Sequence, residues 1–246
     1  MNIVLLHGSW HGAWCWHKVV PWLRAQGHRV HAPDLPAHGR DWRIARGRTT
    51  LAAMAAPVCR LLDSLDEPAL LVAHSRGGIV ASTVAQMRPR KLCGVTYLAA
   101  YMLRDGERVA DYFRQDKESL VPPHLQISKA TFTDRLAEEA YRPALYADCA
   151  DEDVELARSL LTPEPSLPAL TRLRLSDKGY GSVPRHYIEL TNDRAVSLSL
   201  QRRMIAASPC ASVSSIEASH SAYFSAPREL AGVIHGIASR PWPPVA

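Results

Sequence analysis

A chain of 246 residues with 47% hydrophobic and 22% charged content is long enough to bury one sizeable core and has the composition of an ordinary globular protein. No stretch nears the roughly 20 consecutive apolar residues of a membrane helix, and Met1 runs straight into an apolar strand without a basic leader, so we expect a cytoplasmic protein with no membrane partner. The net charge of +5 is carried by Arg mingled with acids; its densest cluster, Arg40, Arg43, Arg46 and Arg48, fits a solvated loop and not a nucleic-acid surface.

Apolar runs alternating with helical stretches predict an α/β fold, a doubly wound, mostly parallel sheet of about six strands. The first strand, near Asn2 to Leu6, ends in His7-Gly8-Ser9-Trp10-His11-Gly12. His7 and His11 have a metal-like spacing, but Gly8 and Gly12 oppose a helix and no carboxylate is near, so no metal is expected. A helix over about Ala13 to Gln26 contains Pro21, which either kinks it or marks a new start. A short strand at Arg29 to Ala32 and a helix over about Thr50 to Leu65, capped by Thr50, follow.

The strand Ala69 to Ala73 then runs into His74-Ser75-Arg76-Gly77, a serine between a strand and a helix. So tight a turn needs small neighbours two residues either side of the serine, because the backbone is strained and the helix packs closely on the strand. Ala73 and Gly77 supply them, with Ala73 replacing the first Gly of the G-x-S-x-G pattern. The helix continues to about Met87, before Pro89, and a strand spans Leu92 to Leu98. Ser75 is the candidate nucleophile. The strand ending in His7-Gly8 would bring the second half of an oxyanion hole, whose donors we assign to the backbone N–H groups of Ser9 and Arg76.

Between Tyr101 and about Ser182 the alternation lapses into Pro-bearing polar segments. We read residues 102–182 as a helical cap inserted over the site, with residues 1–101 and 183–246 forming the core. Helices are expected around Arg108 to Lys117, Thr133 to Tyr141, and Asp151 to Leu161, the last with acids at its start to suit the helix dipole. Pocket candidates are Gly8, Trp10, Tyr101, Phe113, Phe132, Tyr146, Tyr180 and Ser221.

Two later strands complete a triad. His186 to Leu190 breaks into Thr191-Asn192-Asp193-Arg194, which sets the Asp193 carboxylate on the turn after a strand; the competing acids, Glu189 and Asp177, lie inside and before it. Ala211 to Ile216 gives way to Glu217-Ala218-Ser219-His220-Ser221, and His220 is the base chosen from 11 histidines. Its order after the serine and the acid is the one such triads follow. His235 belongs to a C-terminal helix, and Pro241-Trp242-Pro243-Pro244 reads as a frayed tail. Five scattered cysteines, Cys15, Cys59, Cys93, Cys149 and Cys210, without a C-x-x-C pair, read as free thiols.

Taken together, Val4-Leu5-Leu6-His7-Gly8-Ser9-Trp10-His11-Gly12-Ala13-Trp14-Cys15-Trp16, Gly27 to Leu35, Lys178-Gly179-Tyr180-Gly181-Ser182 and Thr191-Asn192-Asp193 make the chain resemble an α/β-hydrolase of the subfamily holding plant methylesterases, hydroxynitrile lyases and bacterial esterases. The resemblance selects the same Ser75, Asp193 and His220. It implies a serine carboxylic ester hydrolase acting on a small, largely apolar or aromatic ester, without metal or organic cofactor, and a possible homodimer. Lactones and thioesters are the nearest substitute substrates. Lyases of the group carry Thr after the first-motif His and Lys after the catalytic His; Gly8 and Ser221 stand there instead, which leaves lyase activity, like a non-catalytic small-molecule receptor, as an alternative. The methylesterases usually carry Met at the position of Ser221.

Overall fold

The computed structural model describes residues 1–41 and 49–242; Arg43, Arg46 and Arg48 lie outside that description. Its strands are β1 (Asn2–Leu6), β2 (Arg29–His31), β3 (Ala69–His74), β4 (Leu92–Leu98), β5 (Leu125–Ser128), β6 (Thr133–Leu136), β7 (Glu164–Pro165), β8 (Arg185–Leu190) and β9 (Ser212–Ile216). The helices are α1 (Val19–Ala25), α2 (Leu51–Asp63), α3 (Gly77–Met87), α4 (Val109–Gln115), α5 (Asp151–Leu160), α6 (Leu167–Leu170), α7 (Leu198–Ala207), α8 (Ala222–Ser225) and α9 (Pro227–Ala238).

Six strands form one parallel sheet in the order β2-β1-β3-β4-β8-β9. Side chains alternate across a strand, so Ile3, Leu5, Leu70 and Val72 enter one apolar cluster, together with Leu230 and Ile234 of α9, and Val4, Leu6, Leu71 and Ala73 enter the other, with residues of α2 and α3. A sheet covered on both faces needs near-continuous apolar strands, which is why the runs were legible. The strand order reverses at β1, whose neighbours are β2 on one side and β3 on the other. A crevice opens beyond the carboxyl ends of the strands at such a switch point, and His7-Gly8-Ser9 and Ser75 follow those two ends.

The helix expected over Ala13 to Gln26 is broken: one turn of 3-10 helix covers Ala13–Trp16 and α1 begins at Val19. Pro21 sits in the first turn of α1, where an N–H has no intrahelical acceptor, so it marks the new start. Thr50 caps α2 by accepting the Ala53 N–H at 3.1 Å, and the helix carries Pro57 in its interior.

The expected helix over Thr133 to Tyr141 is absent. Thr133–Leu136 is instead the strand β6, paired antiparallel with β5 on one edge and β7 on the other, and short turns follow at Glu138–Ala140 and Tyr141–Leu145. Pairing with segments distant in sequence overrode a helix-compatible local pattern, because Thr133, Asp134 and Leu136 are buried by it while Arg135 is exposed. In the tail, the Trp242 ring packs on the Gly94 backbone and lies 5.4 Å from the His186 ring; Pro243 and Pro244 lie outside the described residues. All five cysteines are free, and no helix among the described residues is long and apolar enough to cross a membrane.

Helix α3 meets the end of β1 so closely that a Cβ on Gly77 would lie 2.6 Å from the His7 carbonyl oxygen. The oxygen belongs to the backbone and a Cβ is fixed rigidly to it, so neither can swing away. Gly77→Ala should therefore destabilise the protein by about 1–3 kcal/mol, seen as a melting temperature several degrees lower by circular dichroism; an unchanged melt would show that the strand and helix can part without cost.

Candidate active site

Ser75 follows β3 with φ of 54°, a left-handed conformation that costs a non-glycine residue free energy and persists only when its surroundings over-determine it. Here they do. The Ser75 N–H donates to the Leu98 carbonyl at 3.2 Å, and the Ser75 carbonyl accepts the N–H groups of Gly78 and Tyr101 at 3.1 and 3.0 Å. The end of β1 closes against this elbow, since a Cβ on Gly8 would stand 2.8 Å from the Cβ of Ser75.

His220, on the loop after β9, and Asp193, on the turn after β8, come together at 2.7 Å between Nδ1 and Oδ2, both buried. A carboxylate only accepts, so Nδ1 carries the proton and Nε2 is left as an acceptor. Asp193 is held by its own turn, its Oδ1 accepting the N–H groups of Ala195 at 2.7 Å and Val196 at 2.9 Å. The competing acid Glu189 is engaged elsewhere, accepting from Arg202 at 3.0 Å and Ser215 at 2.8 Å.

His74 touches the same cluster. Its Nε2 lies 2.9 Å from the His220 carbonyl and its ring centroid 4.4 Å from that of His220. Burial, and then the neighbouring His220, push its pKa well below the ordinary value, so it adds no second cation beside an imidazolium at His220. His7 and His11 are likewise driven down by burial, to about 4 and about 3. Neither is placed as a metal ligand: His7 accepts the Leu35 N–H at 3.0 Å, and His11 Nε2 lies 2.7 Å from the Tyr146 hydroxyl and 3.0 Å from the Tyr223 hydroxyl. Among the described residues no group of three or more His, Cys, Asp or Glu side chains could hold a metal ion.

Ser9 and Arg76 line one small cavity of about 10 Å³ with His38, Gly77, Glu164 and Pro168, and neither of their N–H groups has a hydrogen-bond partner among the described residues. None of Ser75, Asp193 or His220 lines that cavity, nor a larger hollow of about 620 Å³ beside Trp14, Asp34 and Arg40, which also lacks Ser9 and Arg76 and is not this site. Of the pocket candidates, Gly8, Trp10 and Tyr101 stand at the elbow. Tyr146 binds His11, and Ser221 is fully buried with its hydroxyl donating to Tyr223 at 3.0 Å. Phe113 packs against the core, Phe132 is exposed on the turn between β5 and β6, and Tyr180 lies at the far end of α3 with Gln86 and Arg185.

Four polar side chains at this site escaped the sequence reading. Glu164, on β7, accepts the Trp10 N–H at 3.0 Å and lies 2.8 Å from His38 Nε2; Asp134, on β6, accepts the Trp10 indole N–H at 3.0 Å. The Arg76 guanidinium reaches both carboxylates, at 3.4 Å to Asp134 and 3.5 Å to Glu164. Burial would raise the Glu164 pKa, but His38 and Arg76 outweigh it and hold it at about 2. The signal available was an acid locked between Pro163 and Pro165.

A sequence model described as the alpha/beta hydrolase family matches residues 3–233. Methylesterase 9 of Arabidopsis thaliana is 34% identical over 252 residues, covering 97% of this chain and 98% of its own. Among solved structures, a pyrethroid hydrolase from Sphingobium faniae JZ-2 superposes with a TM-score of 0.86 at 28% identity, over 98% of each chain. Polyneuridine aldehyde esterase does so with a TM-score of 0.86 at 26% identity, over 97% of this chain and 99% of its own.

Buried neutral imidazoles set an acid limit to stability. The folded-state pKa values of His7 and His11, about 4 and 3, lie below the ordinary 6.5, so stability is complete above pH 6.5 and is lost as the unfolded chain alone takes up protons on acidification. His74 shifts the same way. His38 opposes them: burial lowers its pKa but Glu164 raises it further, so its contribution is present below pH 6.5. Burial also lowers His28, His31 and His186, so six imidazoles stand against one and the melting temperature should be lower at pH 5.0 than at pH 7.5 by about 10 °C or more; equal melts would mean these imidazoles titrate alike folded and unfolded.

Proposed function

The chain belongs to the alpha/beta hydrolase family, and on that premise we propose that it is a serine carboxylic ester hydrolase working through an acyl-enzyme on a small, largely apolar or aromatic ester. The observation that carries this is the 2.7 Å bond between His220 and Asp193, on the loops after β8 and β9, with the His220 ring 4.4 Å from that of His74, the residue before a serine in the left-handed conformation. Proteins named as methylesterases among its relatives support an esterase-type hydrolase.

Ser75 Oγ attacks the ester carbonyl carbon while its proton passes to His220 Nε2. Asp193 fixes the tautomer and stabilises the imidazolium so formed. Charge that develops on the carbonyl oxygen is met by the Ser9 and Arg76 N–H groups, which need no reorganisation at that moment. Collapse expels the alcohol, which takes the proton from His220; water then repeats the sequence on the acyl-enzyme and frees the acid. Residues 102–182 act as the cap, with Trp10 and Tyr101 as apolar surface at the elbow. Ser221, tied to Tyr223, offers no positive charge for departing cyanide, and so the site suits hydrolysis better than cyanohydrin cleavage.

Wild-type protein should hydrolyse p-nitrophenyl acetate or methyl benzoate and release no cyanide from mandelonitrile. Ser75→Ala and His220→Ala should each lower kcat by at least about a thousandfold. Ester turnover that survives both substitutions would overturn the serine mechanism; ligand binding without turnover by the wild type would point to a receptor.

A further inference from the structure

We propose that Glu164 and Asp134 are positioning residues for the oxyanion hole, holding its two arms through the Trp10 main chain and the Arg76 side chain. This rests on the serine-hydrolase reading above and adds to it a dependence on the inserted segment.

Trp10 is the residue after one proposed donor, and its φ of 64° is left-handed. It is tied at three points, all from the inserted segment: its N–H to Glu164 at 3.0 Å, its indole N–H to Asp134 at 3.0 Å, and its carbonyl to the Thr162 N–H at 2.9 Å. The Trp10 N–H and the Ser9 carbonyl belong to one peptide plane, and His11 Nδ1 lies 2.7 Å from that carbonyl. Glu164 on one edge and His11 on the other therefore fix that plane; the Ser9 N–H lies in the preceding plane, whose Gly8 carbonyl is 2.8 Å from His7 Nδ1, so Ser9 sits between two held planes and its N–H has little freedom to turn. Arg76 carries the second donor, and its guanidinium is held between the same two carboxylates.

The pairing of β6 with β7 sets Asp134 directly opposite Glu164. Like charges in that position repel, and both residues are buried, so the arrangement stands only with cations against it. Arg76 and, 2.8 Å from Glu164, His38 are those cations. A buried group of this kind adds little to stability compared with apolar packing. What it does is join the inserted strands to the turn after β1 and the elbow after β3. With Arg76 and His38 beside them, the carboxylates also leave the oxyanion's surroundings without uncompensated negative charge.

The test compares kcat and KM for p-nitrophenyl acetate with the affinity of an aryl trifluoromethyl ketone, in wild type, Glu164→Ala, Glu164→Gln and Asp134→Asn. Ser75 Oγ adds to the ketone carbon, its proton passes to His220, and the oxygen is left as an anion in the oxyanion hole. Glu164→Ala should lower kcat by about 30- to 100-fold with KM within about threefold, and weaken the ketone in parallel. Glu164→Gln keeps an acceptor for the Trp10 N–H and should recover kcat to within about fivefold of wild type. Folded Glu164→Ala with kcat and ketone affinity within about threefold of wild type overturns the proposal, as does a loss confined to KM. If Glu164→Ala does not fold, Asp134→Asn carries the test, with about a fivefold parallel loss expected and unchanged values overturning it. Ser75→Ala separates the two readings: its retained activity would sink the serine mechanism, whereas an inactive Ser75→Ala beside an indifferent Glu164→Ala would sink the positioning role alone.

Discussion

A serine can stand left-handed between a strand and a helix only where the surrounding main chain leaves it no alternative, and the candidate site is organised around that constraint. Three backbone hydrogen bonds hold Ser75, two of them reaching the end of β4 and the segment just beyond it. The helix that follows must then press against β1, which Gly77 permits and a side chain would not. Because β1 lies beside β3 in the sheet, the turn after β1 is delivered to the same place, and Ser9 with Arg76 comes to line one cavity. Strand order, helix packing and the proposed oxyanion donors thus follow from one tight turn.

Electrostatics around that turn is arranged by burial in two ways. Histidines that would otherwise crowd His220 with charge, His7, His11 and His74, are kept neutral by desolvation. Acids that burial would neutralise are instead paired: Glu164 stays ionised against His38 and Arg76, while burial outweighs Arg76 at Asp134 and raises its pKa. Asp193 needs no cation of that sort, since two backbone N–H groups and His220 take up its oxygens.

The six-stranded sheet and residues 102–182 differ in how far local sequence decided them. Strands buried on both faces are continuous apolar runs, and β1 and β4 were read to the residue. Within residues 102–182 the acidic start of α5 was legible, because a dipole preference is local. The small sheet β5-β6-β7 was not, since β7 is two residues long and joins β6 across about thirty residues of intervening chain. Polar residues on β6 read as a helix face because the partners that bury Thr133 and Asp134 are remote.

For this protein the sequence by itself determined the alternating sheet, the elbow at Ser75, and the order in which serine, acid and histidine appear, because each depends on neighbours a few residues away or on a pattern repeated along the chain. The tertiary structure alone decided that His220 meets Asp193 at 2.7 Å, that Ser221 is spent on Tyr223, and that His38, Arg76, Asp134 and Glu164 share one buried group. Those facts depend on side chains far apart in the chain being drawn into one volume of low dielectric, where whether a charge is paired or a hydroxyl is engaged is settled by distance and not by spacing in sequence.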